Sequence, residues 1–346
     1  MTTQAYAILA GGGTKAAALA GCLRAAEQFD IEFLGYGGVS GGSIIALLAA
    51  VGYKGNALRD LATGTPFTDY LPDGGDLLVE LKGLVTSLGH VLAEKRDWLR
   101  LARLARVLFR HRKLRKHIHS KLGLYDGKKL EDVLLKLIFD RQQSLSTIWQ
   151  HKRRIMFNDL DGLSGCKPLK VVASDLVRRC ASVFSAIPGE DAPLISAVKA
   201  SCAYPILAQP VRVFGSIYAD GGFTCNLPVF LFEKDRDAYA KANNCGRPHI
   251  VAFQLIDENM SEPEDLASLL WAMIMTALEA GDEVLKGVIQ GLVCVQVPIP
   301  SGPDGYSATD FDLDESDRCS LFDLGFRAAT EQLAKARLPF GGGLPV

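Results

Sequence analysis

Short apolar runs that stop at glycine and give way to helix-compatible stretches organise the first fifty residues. Residues 6–10 are such a run; Gly11-Gly12-Gly13 ends it, and an alanine-rich stretch follows as far as Gln28. The spacing predicts a strand, a glycine turn and a helix. The pattern then repeats. Residues 31–37 read as a second strand, GGVSGGS as a turn, and residues 43–51 as a buried helix carrying Ile44, Ile45, Leu47 and Leu48. Two consecutive strand-turn-helix units predict an α/β fold with a mainly parallel sheet wrapped by helices. Further along, the periodicity predicts helices over 129–139, 195–200, 266–285 and 316–336, and strands over 168–173, 249–255 and 292–297. Residues 211–219 read as a hairpin turning at Gly215-Ser216, and 341–346 as a tail.

One segment departs from this pattern. Residues 95–121 hold eleven Lys/Arg against the single Asp97, a local charge of +10 in a chain whose formal net charge is −1. Leu101, Leu104 and Leu108 fall on one helical stripe, and Arg96, Arg100, Arg103 and Arg110 mostly on another, which predicts a basic amphipathic helix. Composition otherwise describes a folded protein: 346 residues, 48% hydrophobic and 22% charged. The near-zero net charge argues against a nucleic-acid binder. Eight cysteines are scattered with no C-x-x-C pair, as expected for reduced thiols in a cytosolic chain. The first residues lack a charged leader region, and no run of apolar residues is long enough for a membrane span.

Three glycine-associated motifs carry candidate chemistry. Gly38-Val39-Ser40-Gly41-Gly42 fits G-x-S-x-G between a predicted strand and a predicted helix, the context of a nucleophile elbow. Ser40 would then stand over a helix N-terminus, where the Gly41 N–H can stabilise an oxyanion. Gly11-Gly12-Gly13-Thr14-Lys15 exposes consecutive amides that could line an oxyanion hole or cradle a phosphate. The same GGGTKA also fits a dinucleotide fingerprint, with Glu32 as the ribose-binding acid. Asp220-Gly221-Gly222 follows the predicted hairpin and could deliver a carboxylate to a site, whereas the second copy at Asp73 reads as a surface turn.

In chain order, the glycine-rich turn, the elbow serine and the strand-terminal Asp-Gly-Gly together resemble the patatin-like phospholipase family. Ala200-Ser201-Cys202-Ala203-Tyr204-Pro205, YADGGFTCNLPV and VVASDL are similar to further family segments. The resemblance implies a three-layer α/β/α patatin-like fold in a single domain over 1–340, with 60–150 as a helical insertion near the active-site mouth. It implies a metal-independent acyl hydrolase of the phospholipase A or lysophospholipase type, without a cofactor, acting through a Ser40–Asp220 dyad. The amides of Gly11, Gly12 and Gly13 would hold the oxyanion. Where the family usually has arginine then glycine, this chain has Lys15-Ala16. A Ser-His-Asp esterase with His249 as base satisfies the chain order but not the number of strands before the elbow. Lys15 and the basic segment, through Arg100, Arg103 and Arg110, are the expected contacts with substrate or with a phospholipid membrane surface, making the protein cytoplasmic and peripheral. A cyclic nucleotide activator, a role as a regulated effector that degrades membranes, and a homo-oligomer are the remaining expectations attached to the resemblance.

Overall fold

The computed structural model describes residues 2–71, 76–83, 107, 109–186, 191–258, 262, 266–301, 305–308 and 310–336. Its strands are β1 (Thr3–Leu9), β2 (Ile31–Val39), β3 (Gly123–Tyr125), β4 (Leu169–Asp175), β5 (Cys180–Phe184), β6 (Ile206–Ala208), β7 (Val211–Val213), β8 (Ser216–Ala219), β9 (His249–Asp257) and β10 (Leu292–Ile299). The helices are α1 (Ala17–Gln28), α2 (Gly41–Ala50), α3 (Gly55–Gly64), α4 (Arg112–Lys121), α5 (Lys128–Arg141) and α6 (Gln143–Lys152). They continue with α7 (Leu194–Ser201), α8 (Glu233–Asn243), α9 (Leu266–Val288) and α10 (Glu315–Lys335).

The central sheet runs β10-β9-β1-β2-β4-β8-β7, with β5 also paired to β4. Strands β10, β9, β1, β2 and β4 are parallel, while β5, β8 and β7 pair antiparallel at one side. The period of two along β1 explains why both faces are covered. Ala5, Ala7 and Leu9 point into a core shared with α1, α2, α7 and α10. Tyr6, Ile8 and Ala10 point the other way, onto Leu227, Val229, Leu231 and Phe232. Tyr6 and Phe232 stack there with ring centroids 4.4 Å apart. The result is the three-layer α/β/α architecture.

The described residues between α2 and β4 are mostly helical, and β3 pairs parallel with β6 in a separate two-stranded sheet. Of the expected basic helix over 95–121, residues 95–106 and 108 lie outside the described residues, Arg100 and Arg103 among them. The described portion, α4, turns Leu114 inward against Leu124 and Tyr125, while Arg110 and most of its charged side chains face solvent. The Asp73 turn and the tail also lie outside the described residues. The hairpin turns one residue earlier than expected, at Phe214-Gly215, where both residues have positive φ (48° and 78°).

Candidate active site

Strand β2 delivers its last residue, Val39, directly to a one-residue turn, and α2 begins at Gly41. Ser40 occupies that turn with φ 49° and ψ −130°, a conformation a residue with a side chain holds only when its surroundings enforce it. The enforcement is close packing. A Cβ on Gly38 would lie 2.6 Å from the Gly42 carbonyl oxygen, and one on Gly42 would lie 2.3 Å from the Ala10 carbonyl oxygen. Strand and helix can therefore meet at this angle only through glycine. The Ser40 N–H donates to Ser201 Oγ (2.8 Å), whose own hydroxyl donates to the Val172 carbonyl (2.6 Å). Ser43 Oγ donates to the Ser40 carbonyl at 2.7 Å.

Antiparallel β8 brings Asp220 to the same end of the sheet. Ser40 Oγ donates to Asp220 Oδ2 at 2.6 Å, across 180 positions of chain. The other carboxylate oxygen, Oδ1, accepts the Gly222 N–H at 2.8 Å. The Asp220 backbone is pinned on both sides: its N–H donates to the Ala203 carbonyl (3.0 Å) and its carbonyl accepts from Ser174 Oγ (2.7 Å). Asp220 is 3% exposed. Burial pushes its carboxyl up to about 6, opposed by the hydrogen bonds from Ser40 and the Gly222 amide. A carboxylate so placed is a stronger base than an exposed one and is still ionised at neutral pH.

The glycine loop lies against the elbow, where a Cβ on Gly41 would come within 2.5 Å of the Gly13 carbonyl oxygen. Its amides are not equivalent. The Gly11 N–H donates to the Asn226 carbonyl (3.2 Å), so the expected three-amide cup loses that member. Gly12, Gly13 and Gly41 N–H groups have no acceptor among the described residues. Lys15 lines the cavity, with its ammonium paired to Asp257 Oδ1 at 2.7 Å and its side chain 9% exposed.

The Ser40–Asp220 pair opens into a cavity of about 820 Å³. Ile44, Leu48, Leu61, Leu130, Leu207 and Leu255 supply apolar lining, beside polar groups that include Ser40, Asp220, Asp257 and Glu279. That combination suits an acyl chain with its carbonyl held at one end. No cluster of metal-ligating side chains occurs among the described residues. The two rival readings fail on register. Glu32 pairs with Gln4 at the start of β2, the far end of the sheet from the glycine loop, and binds Lys167 at 3.2 Å. His249 opens β9 beside Ala5 at that same far end, where burial lowers its pKa. Neither can reach the site its motif required.

The patatin-like phospholipase family model matches residues 7–232. The chain belongs to that family. Membership assigns it to lipid ester hydrolysis. It is 25% identical over 339 residues to the uncharacterized protein YqhO of Bacillus subtilis (strain 168), covering 92% of this chain and 94% of the relative. It is 30% identical over 118 residues to protein R571 of Acanthamoeba polyphaga mimivirus, covering 34% and 35%. Among solved structures it is similar to VipD from Legionella pneumophila, with a TM-score of 0.50 and 16% identity over 96% of this chain and 67% of that one. This likeness carries the patatin-like fold and nothing finer. ExoU of Pseudomonas aeruginosa, solved with SpcU, has a TM-score of 0.41 and 19% identity, and the chain spans about half its length (96% of this chain, 51% of that one).

Sequence reasoning identified the residues that meet at the site but not those that hold them. Ser201, Ser43 and Ser174 each bond to the backbone of Ser40 or Asp220; all three stand in segments that the sequence singles out, but nothing local to those segments marks the serines themselves as supports. Isolated serines carry no periodic signal. Their roles arise from contacts spanning up to 161 positions of chain.

Proposed function

We propose that the chain is a serine acyl hydrolase of the phospholipase A or lysophospholipase type, cleaving fatty acyl esters of membrane glycerophospholipids with Ser40 as nucleophile and Asp220 as its base. The 2.6 Å bond between Ser40 Oγ and a buried carboxylate, in the wall of a cavity that also has substantial apolar lining, is the observation that supports this best. In the forward step Asp220 takes the hydroxyl proton as Oγ attacks the ester carbonyl carbon. The resulting oxyanion accepts from the free amides of Gly12, Gly13 and Gly41, main-chain donors that need not reorganise as charge develops. Collapse breaks the ester C–O bond. The departing alkoxide of the lysolipid or glycerol fragment takes the proton back from Asp220, leaving an acyl-Ser40 ester. Water then attacks that ester, with Asp220 again accepting a proton and returning it to Ser40 as the fatty acid leaves.

No histidine is required, because burial already brings the carboxylate near the pKa range of a useful general base. Access to the bilayer as a peripheral protein fits a substrate that resides there, and no helix among the described residues is long and apolar enough to cross a membrane. The test is direct. Wild-type protein incubated with mixed phospholipid vesicles should release fatty acids detectable by mass spectrometry, and a fluorophosphonate probe should label Ser40. Ser40→Ala should lower release by about a thousandfold or more with an unchanged melting temperature. Residual activity near wild type in that variant would reject the serine mechanism.

A further inference from the structure

Two hairpin tips rise from the active-site end of the sheet. Register fixes their height. Val39 is paired with Val172, so Ser40 stands level with Ala173, and Ala219 is paired with Ser174, so Asp220 stands at the same level. β4 and β8 continue outward from there, with the Leu176 N–H donating to the Ile217 carbonyl at 2.9 Å. The β4–β5 turn at 176–179 and the β7–β8 turn at Phe214-Gly215 therefore lie beyond Ser40 and Asp220 at the same end of the sheet. At about 3.3 Å per residue, Asp175, the last residue of β4, lies roughly 7 Å beyond the level of Ser40, and the turn that carries Val177 follows it. Ser216 Oγ donates to Asp175 Oδ1 at 2.6 Å, and that same oxygen accepts the Val177 and Arg178 amides, which ties the two tips into one unit.

These tips carry side chains that neither packing nor turn chemistry calls for. Leu176, Val177 and Phe214 are 50%, 64% and 66% exposed. Phe214 sits at φ 48°, in a two-residue hairpin turn where Asn before Gly would be the favoured choice. A bulky ring held at that angle, with most of its surface in water, gains nothing inside this molecule. Around the apolar tips stand Arg178, Arg179 and Arg212, all exposed. Arg178 lies 3.9 Å from the buried Asp175 carboxylate, and neither Arg179 nor Arg212 has an acidic partner among the described residues.

We propose that the two tips form a membrane-docking surface, with Leu176, Val177 and Phe214 entering the headgroup boundary of an anionic bilayer and the three arginines meeting lipid phosphates. Protruding apolar tips ringed by cations match the layered chemistry of that boundary, an apolar interior under anionic groups. They would set the cavity mouth against the lipid it draws from. The inference rests on the lipid-hydrolase reading for its purpose, but it is tested by binding alone.

Binding is measured by co-sedimentation of the full chain in the Ser40→Ala background, so that the lipid is not consumed. The probes are vesicles of phosphatidylcholine with phosphatidylglycerol and vesicles of phosphatidylcholine alone. Phe214→Asn with Val177→Ser should weaken binding to both kinds at least tenfold. Asn-Gly suits the turn, so Phe214→Asn alone should not lower the melting temperature. Arg179→Glu with Arg212→Glu should weaken binding to the anionic vesicles only. Unchanged binding in both double variants overturns the surface, as does a parent chain that binds neither vesicle. Tip-dependent binding in a protein whose wild type releases no fatty acid would leave the surface standing and reject the hydrolase reading instead.

Discussion

At the residue scale, Asp220 is where function and stability oppose each other. Its carboxyl is raised from the ordinary aspartate value to about 6 by burial. A group whose folded pKa lies above its unfolded value binds more protons in the folded state between those two values. Stability from this source is therefore complete below about pH 4, falls as pH rises to about 6, and stays low above it. The catalytic requirement runs the other way, since only the ionised form can accept the Ser40 proton. Ester hydrolysis should accordingly rise with pH through an apparent pKa near 6 and level off above it, in a kcat/KM profile on a soluble short-chain ester. Asp220→Asn should abolish that activity. It should also stabilise the fold by on the order of 2 kcal/mol at pH 7.5 and by much less at pH 4, read from urea unfolding at the two pH values. A stability gain that is equal at both pH values would show that ionisation of this buried group is not its source.

Between single residues and the whole lies the strand-turn-helix element, and here the sequence was most informative. Both glycine turns and the strands feeding them were legible, because a short apolar run, a glycine cluster and a helical stretch are local patterns. The Ser40 elbow was legible for the same reason: its glycines are demanded by contacts within one element or with the strand beside it. What stayed illegible is held by distant partners. β5 is an edge strand whose burial is only partial, and α8 is charged with a single buried residue, Arg236, so neither shows a clean apolar period. That the Gly11 amide is occupied by Asn226 could not be read from GGGTK, since the partner enters from 215 positions away. The elbow itself makes a sharp prediction. In Gly42→Ala the new methyl would meet the Ala10 and Leu9 carbonyl oxygens at 2.3 and 2.6 Å, backbone atoms at and just beyond the end of central strand β1 that cannot step aside. The variant should lose about 1–3 kcal/mol of stability and most of its hydrolytic activity, because α2 can relieve the clash only by carrying Ser40 away from Asp220. Wild-type kcat with wild-type melting temperature would mean the turn tolerates a side chain and is not the constraint on the serine.

Across the whole molecule, the segment beyond the family match at 7–232 is built into the same sheet rather than appended to it. β9 pairs along β1 on the side opposite β2, and β10 closes that edge, so the strand bearing the glycine loop is central only because residues 249–257 lie beside it. The final helix locks this arrangement. α10 crosses α1 so closely that a Cβ on Gly325 would fall 1.8 Å from the Ala18 carbonyl oxygen, and one on Gly21 would fall 2.0 Å from the Phe322 carbonyl oxygen. Cys22 Sγ donates to the Gly325 carbonyl at 3.4 Å across the same crossing. From α10, the buried Arg318 guanidinium reaches back to the Thr63 carbonyl at the end of α3, near Leu61 in the cavity wall. Gly325→Ala must therefore push two helices apart along their length, and the cost should be about 2–4 kcal/mol, on the scale of severe overpacking in a core. Because α1 starts immediately after the glycine loop, the displacement should also reach the oxyanion amides. Thermal unfolding should remain one cooperative transition at a lower temperature, with kcat reduced in the folded protein at 25 °C. If instead the C-terminal segment melted separately, leaving activity and the main transition intact, residues 249–335 would be a dispensable addition and not part of the domain that positions Ser40 and Asp220.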